Sequence, residues 1–178
     1  MINTVDPACN GGSNGSINIT ASGGTTPYQY SIDNGVTFQA SNSFTGLGAA
    51  TYDVVVEDAN GCQATTTATI TDPAVVAYTA SLTDLLCNGD GSGVIDLTGS
   101  GGDGGPYQYS IDNGVTFQAS GTFSGLPAGT YNIVIDDGVG CQVTGTETLT
   151  DPPALSIDLI NTTDPVCNGG TNGSITIT

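Results

Sequence analysis

The sequence predicts an all-β protein built as a linear array of small sandwich domains. Three observations predict it: a long internal repeat, period-two alternation of apolar residues, and turn residues at regular intervals. Residues 27–41 read PYQYSIDNGVTFQAS, and residues 106–120 read the same 79 positions later. Cys62 recurs as Cys141, Asp72-Pro73 as Asp151-Pro152, and Cys9 as Cys87 and then Cys167. Residues 2–20 return at 160–178, 158 positions on. The chain reads as two complete units and the opening of a third, with expected boundaries 1–73, 74–152 and 153–178. A solenoid repeat of about 20–50 residues cannot fold alone, so a period this long means separate small domains.

The elements follow in chain order. In residues 16–20 (SINIT), Ile17 and Ile19 alternate with polar neighbours. In residues 28–33 (YQYSID), Tyr28, Tyr30 and Ile32 face one way and Gln29, Ser31 and Asp33 the other. In residues 52–57 (YDVVVE), Tyr52, Val54 and Val56 form the inward set. Such alternation marks half-buried strands. Helical periodicity is absent, and the density of Gly, Thr and β-branched residues disfavours helix. Asn34-Gly35 and Asn113-Gly114 accept the positive φ values of a type I′ turn. Asn60-Gly61 is expected to do the same before Cys62, with Asp137-Gly138 in the equivalent connection before Cys141. Gly23-Gly24 and the glycines of 101–105 mark a wider connection, and the Asp-Pro pairs read as stiff joints between domains.

Six or seven short strands per unit point to immunoglobulin-like or fibronectin III-like β-sandwiches. Residues 44–52 (FTGLGAATY) and 123–131 (FSGLPAGTY) resemble the E–F corner of such folds, where a Leu plugs the core and a Tyr hydroxyl caps the turn. A plain glycine turn between two strands is the competing reading. Tyr28, Tyr30, Phe38, Phe44 and Tyr52 are the aromatic anchors of the first unit.

Composition narrows the function. The chain has no Lys, Arg or His against 17 Asp plus Glu, a formal charge of −17. Phosphate neutralisation by basic side chains is therefore lacking, which excludes nucleic acid and argues against docking on anionic lipid. The commonest general bases, the P-loop lysine and imidazole ligands are missing too, so no Ser-His-Asp or Cys-His set can be assembled and the segment is expected not to be an enzyme. The longest apolar runs are a few residues, too short for a membrane helix.

From here the chain resembles a known family. The order CNGGSNGSINITASGGTTPYQYSIDNG, then FTGLGAATYDVVVEDANGC, then TITDP is similar to the SprB-type repeats of Bacteroidetes gliding-motility adhesins and related giant tandem-repeat surface proteins. The resemblance spans both units and the start of the third. It implies a bacterial cell-surface protein, exported by type IX secretion, and it supplies no catalytic residues.

Two site questions follow from the residues. The regular recurrence of cysteine favours structural disulfides in an oxidising place. The simplest pairing is Cys9–Cys62 and Cys87–Cys141, leaving Cys167 for a repeat outside the chain. A seven-strand sandwich, however, would put Cys87 and Cys141 at opposite poles, so either the first strand breaks early or the bridges staple neighbouring units. Asp58, Asn60, Asn88, Asp90, Asp136 and Asp137 are hard oxygen ligands near turns and form the calcium candidates; exposed acidic turns without an ion are the default, and no other cofactor is expected. Function then divides between a non-catalytic stalk of a secreted adhesin or filament and an array of carbohydrate-binding modules with Tyr28, Tyr30, Tyr107 and Tyr109 as a sugar platform. The expected partners are neighbouring repeats of the same chain and an external surface or polysaccharide, with neither nucleic acid nor membrane insertion.

Overall fold

The structure is a computed structural model that describes residues 1–102 and 104–177; Asp103, inside the glycine-rich connection, and Thr178 lie outside the described residues. The first unit contains β1 (Ile2–Val5), β2 (Gly15–Ile19), β3 (Gln29–Ser31), β4 (Ser43–Leu47), β5 (Ala50–Glu57) and β6 (Gln63–Ile70). The second contains β7 (Ala74–Thr83), β8 (Gly93–Gly102), β9 (Gln108–Ser110), β10 (Thr122–Leu126), β11 (Gly129–Asp136) and β12 (Gln142–Leu149). A hairpin of β13 (Ile160–Thr163) and β14 (Ser174–Ile177) follows.

Each unit is two antiparallel three-stranded sheets, ordered β1-β2-β4 against β3-β5-β6 and β7-β8-β10 against β9-β11-β12. In sandwich nomenclature these are strands A-B-E facing C-F-G, the fibronectin III and immunoglobulin arrangement with the strand between C and E replaced by a loop. The alternation read from the sequence supplies the cores. Ile17, Ile19, Tyr30, Val54, Ala68 and Ile70 fill the first, and Leu85, Ile95, Leu97, Tyr109, Ile133, Ile135 and Leu149 the second.

The E–F corners are true tyrosine corners. Tyr52 Oη donates to the Gly48 carbonyl at 3.0 Å and Tyr131 Oη to that of Pro127 at 2.7 Å, while Leu47 and Leu126 pack on the cores. Asn34 and Gly35 take φ of 62° and 81°, Asn113 and Gly114 64° and 80°, as a type I′ turn requires. Asn60 departs from the expected pattern: in that loop only Gly61 is in the left-handed region. The Asp58 carboxylate takes the N–H groups of Asn60 and Cys62 instead, which winds the loop without a second positive φ.

One burial was missed. Val55 and Val134 point away from the inward set yet are buried. The loop after β3 roofs them: a Cβ at Gly35 would lie 3.6 Å from Phe38 and 3.7 Å from Val55, and Gly114 relates Phe117 to Val134 in the same way. Phe38 is thus an anchor on the outside of its sheet rather than between the sheets.

Candidate functional site

The most constructed place on the chain is the junction between the two units. Two loops build it. The first is the β1–β2 loop, where Asp6 accepts from Thr71 N and Oγ1 at 2.9 and 2.7 Å, tying the loop to the end of β6. Those bonds hold the Asp6 carboxyl below its ordinary value. Asn10 Nδ2 donates to the Pro73 carbonyl at 2.9 Å and so clamps the outgoing Asp-Pro joint. A tight turn presents the cysteine between them, with Gly12 N donating to the Cys9 carbonyl at 2.8 Å.

The second unit repeats this loop with the same clamping residues. Asp84 accepts from Thr150 N at 2.8 Å, Asn88 Nδ2 donates to the Pro152 carbonyl at 2.9 Å, and Asp90 N donates to the Cys87 carbonyl at 3.2 Å. At the opening of the third unit the turn recurs as Gly170 N to the Cys167 carbonyl at 2.9 Å.

The other loop joins β5 to β6, and β11 to β12, at the opposite pole. An aspartate organises each. Asp137 N donates to the Cys141 carbonyl at 3.1 Å and its Oδ1 accepts from Cys141 N at 3.0 Å; Asp58 and Cys62 do the same at 3.0 and 2.9 Å. A glycine in the left-handed region presses on each carboxylate. A Cβ would come within 2.7 Å of Asp58 Oδ2 at Gly24 and within 2.3 Å of Asp137 Oδ2 at Gly102, so neither position accepts a side chain. The Asp58 carboxyl is held low chiefly by the N–H groups of Thr25 and Cys62.

At the junction the two loops meet covalently. Cys9 and Cys141 form a disulfide with Cα atoms 5.5 Å apart and 132 positions between them, while Cys62, Cys87 and Cys167 are free and exposed. The expected pairs Cys9–Cys62 and Cys87–Cys141 are therefore not formed, and the reason is the length of the last strand. Cys62 precedes Gln63 at one end of β6 and the Cys9 loop is tied to Thr71 at the other. Eight residues of strand separate the poles by about 27 Å, far beyond the roughly 7 Å a disulfide spans. Of the two solutions the sequence left open, the structure takes the bridge between neighbouring units.

A profile of the SprB repeat matches residues 1–37, 79–116 and 159–178, together more than half of the chain. The chain belongs to the SprB repeat family. This repeat is found in surface proteins. No curated protein matches the chain. Among solved structures, the fibronectin(III)-like modules of Clostridium thermocellum CbhA align over 85% of this chain and 94% of theirs, at 13% identity and a TM-score of 0.35.

In this pair of SprB repeats the calcium candidates are divided between the poles. Asp58 and Asn60 lie at one pole of the first unit, Asp136 and Asp137 at the corresponding pole of the second, and Asn88 and Asp90 at the far pole of the second. Their side chains serve turns: Asp90 accepts from Cys87 N and Ser92 N, both at 3.0 Å, and Asp136 from Gly138 N at 2.8 Å. Among the described residues, no group of three or more His, Cys, Asp or Glu side chains is arranged to hold a metal ion. The four tyrosines of the sugar-platform reading turn inward. Tyr30 and Tyr109 are buried, while the hydroxyls of Tyr28 and Tyr107 donate to the carbonyls of Gly23 and Gly101.

A cleft of about 400 Å³ opens at the pole of the first SprB repeat, lined by Ile19, Gly24, Tyr28, Val54, Asp58 and Thr66 among others. The second repeat fills the corresponding space with its own strand. There Val76 is buried beside Gly102, and Tyr78 lies over Gly145 and donates to Glu147 at 3.2 Å.

Proposed function

We propose that this chain is a non-catalytic stalk segment of a secreted, cell-surface adhesin or extracellular filament that serves gliding or surface attachment. The observation that carries the reading is the junction itself, where two repeated units are joined pole to pole by backbone and by a disulfide, with the Asn10–Pro73 hydrogen bond holding the outgoing joint. A stalk needs joints of this kind. The composition supports the same reading, because a chain without Lys, Arg or His lacks the usual acid–base and phosphate-binding groups. A disulfide supports an oxidising, extracellular location, and the SprB family supports export by type IX secretion. Repetition increases reach and raises avidity wherever a unit carries even a weak site.

The carbohydrate-module reading has less support, because a stacking platform needs exposed aromatic faces and these tyrosines are spent on the core. Removing single units from the array on living cells tests the proposal. Attachment or filament length should fall in graded steps with unit number. Abrupt loss of a chemical activity on deleting one unit would overturn it, and specific binding of this two-unit chain on a glycan array would restore the carbohydrate reading.

A further inference from the structure

We propose that the opening cysteine of each unit bonds the closing cysteine of the next, lacing the array so that tension runs along the first and last strands of each unit and bypasses the rest. The lace stands on the geometry of the junction and is independent of what surface the array meets.

The junction between residues 9 and 141 is the one place where the chain supplies both partners, and there the bond is made. The other cysteines stand in the same settings. Cys87 rides on the turn that carries Cys9, and Asn88 clamps Pro152 as Asn10 clamps Pro73, so Cys87 is held beside the outgoing joint where a following unit docks. Cys167 opens the same turn. Cys62 is held by Asp58 as Cys141 is by Asp137, on the pole that faces a preceding unit. All three are exposed thiols. Each bond forms from two thiols, which lose two protons and two electrons to a disulfide oxidant such as oxidised glutathione; the oxidant leaves as two thiols.

The load path follows from chain order. Backbone at Pro73 and the bond to Cys141 enter the second unit from one side, and Cys87 and backbone at Pro152 leave it on the other. The shortest covalent routes are 73 to 87, along β7, and 141 to 152, along β12. These 14 and 11 residues reach no more than about 50 and 40 Å when fully extended. The strands β8, β9, β10 and β11 all lie between residues 88 and 140 and hang off the tension line. The two loaded strands sit side by side, joined by the Tyr78–Glu147 hydrogen bond. A laced unit that loses its fold under load therefore gains almost no length.

Three measurements test the lace. The chain itself, oxidised with glutathione and stretched by its two ends, should show a contour short by the 132 positions between Cys9 and Cys141, about 440–475 Å, which reductant restores. Equal contours with and without reductant would overturn the proposal. Non-reducing peptide mapping of the same chain should find Cys9–Cys141 with Cys62 and Cys87 as thiols, and pairs within units would overturn it. Because residues 174–178 (SITIT) stand where residues 94–98 (VIDLT) stand, a copy of residues 99–151 placed after Thr178 completes the third unit. In that longer chain Cys87 should bond the added copy of Cys141, and Cys87→Ser should leave that copy a thiol. Bonding of the copy to Cys167 would refute the lace.

Discussion

The two units share most of their sequence and differ in the state of one matched cysteine turn, Cys62 in the first and Cys141 in the second. Within the identical segment PYQYSIDNGVTFQAS the turn is built the same way twice: Ser31 Oγ and Ser110 Oγ each donate to the aspartate two residues on at 2.6 Å, and Thr37 Oγ1 and Thr116 Oγ1 close the same carboxylates at 2.6 Å. Local sequence therefore fixes the loop, while the state of the cysteine turn depends on what docks against it. Cys62 and Cys141 make the point chemically. They sit in the same turn, yet one is an exposed thiol and the other a buried half of a disulfide, because the Cys9 loop of the first unit docks on Cys141.

The largest test asks whether the units are separate. Ile17 and Ile95 are fully buried in corresponding places, and truncating either to Ala should cost about 2–5 kcal/mol. Ile17→Ala should lower one of two calorimetric transitions and Ile95→Ala the other; a single transition moved equally by both would mean that the units melt as one. Next in size is an exchange between units. Thr66 stands where Gly145 stands, and a Cβ at Gly145 would lie 1.9 Å from Tyr78 Oη. Gly145→Thr should destabilise the second unit by about 1–3 kcal/mol through overpacking. An unchanged denaturation midpoint would show that Tyr78 swings clear at no cost.

The tyrosine corners give a smaller effect. Tyr52→Phe and Tyr131→Phe each remove one hydrogen bond to a loop carbonyl and should cost about 1 kcal/mol in their own unit. A clear inequality between the two would show that Gly48 and Pro127 make different corners. The last test is pH. Hydrogen bonds from Ser31 and then Thr37 bring the Asp33 carboxyl to about 2, and those from Ser110 and Thr116 bring Asp112 to about 2. Because the folded groups are the stronger acids, their contribution is complete above the unfolded value near 3.8 and is lost as pH falls through about 2. Asp33→Asn and Asp112→Asn should each flatten the stability profile of their own unit between pH 4 and 2, read by thermal melts; an undiminished slope in the double variant would assign acid lability to other carboxylates.

Much of the fold was legible because it is written in short-range patterns. Period-two alternation located Ile17, Ile19, Tyr30 and Val54, and the spacing of Leu47 and Tyr52 located the corner. Val55 was not legible by that rule, since its cover comes from a loop rather than from the facing sheet. A valine on the outer face of β5 with a phenylalanine in the loop after β3 was the available signal. The disulfide was less legible still. A seven-strand sandwich puts Cys87 and Cys141 at opposite poles, but which cysteine of a neighbour meets Cys9 depends on how two bodies dock, and alternation and turn residues say nothing of docking.

The junction also sets an order of events. Cys9 lies 132 positions from its partner. The nearest candidate in sequence is Cys62 of its own unit, and an unfolded chain would join the two readily. A finished sandwich cannot, because β6 stands between them as a spacer. The fold acts as the proofreader of its own crosslink: a unit that closes before it meets an oxidant keeps Cys9 for its neighbour, and one oxidised too soon knots itself and leaves the neighbour unbound.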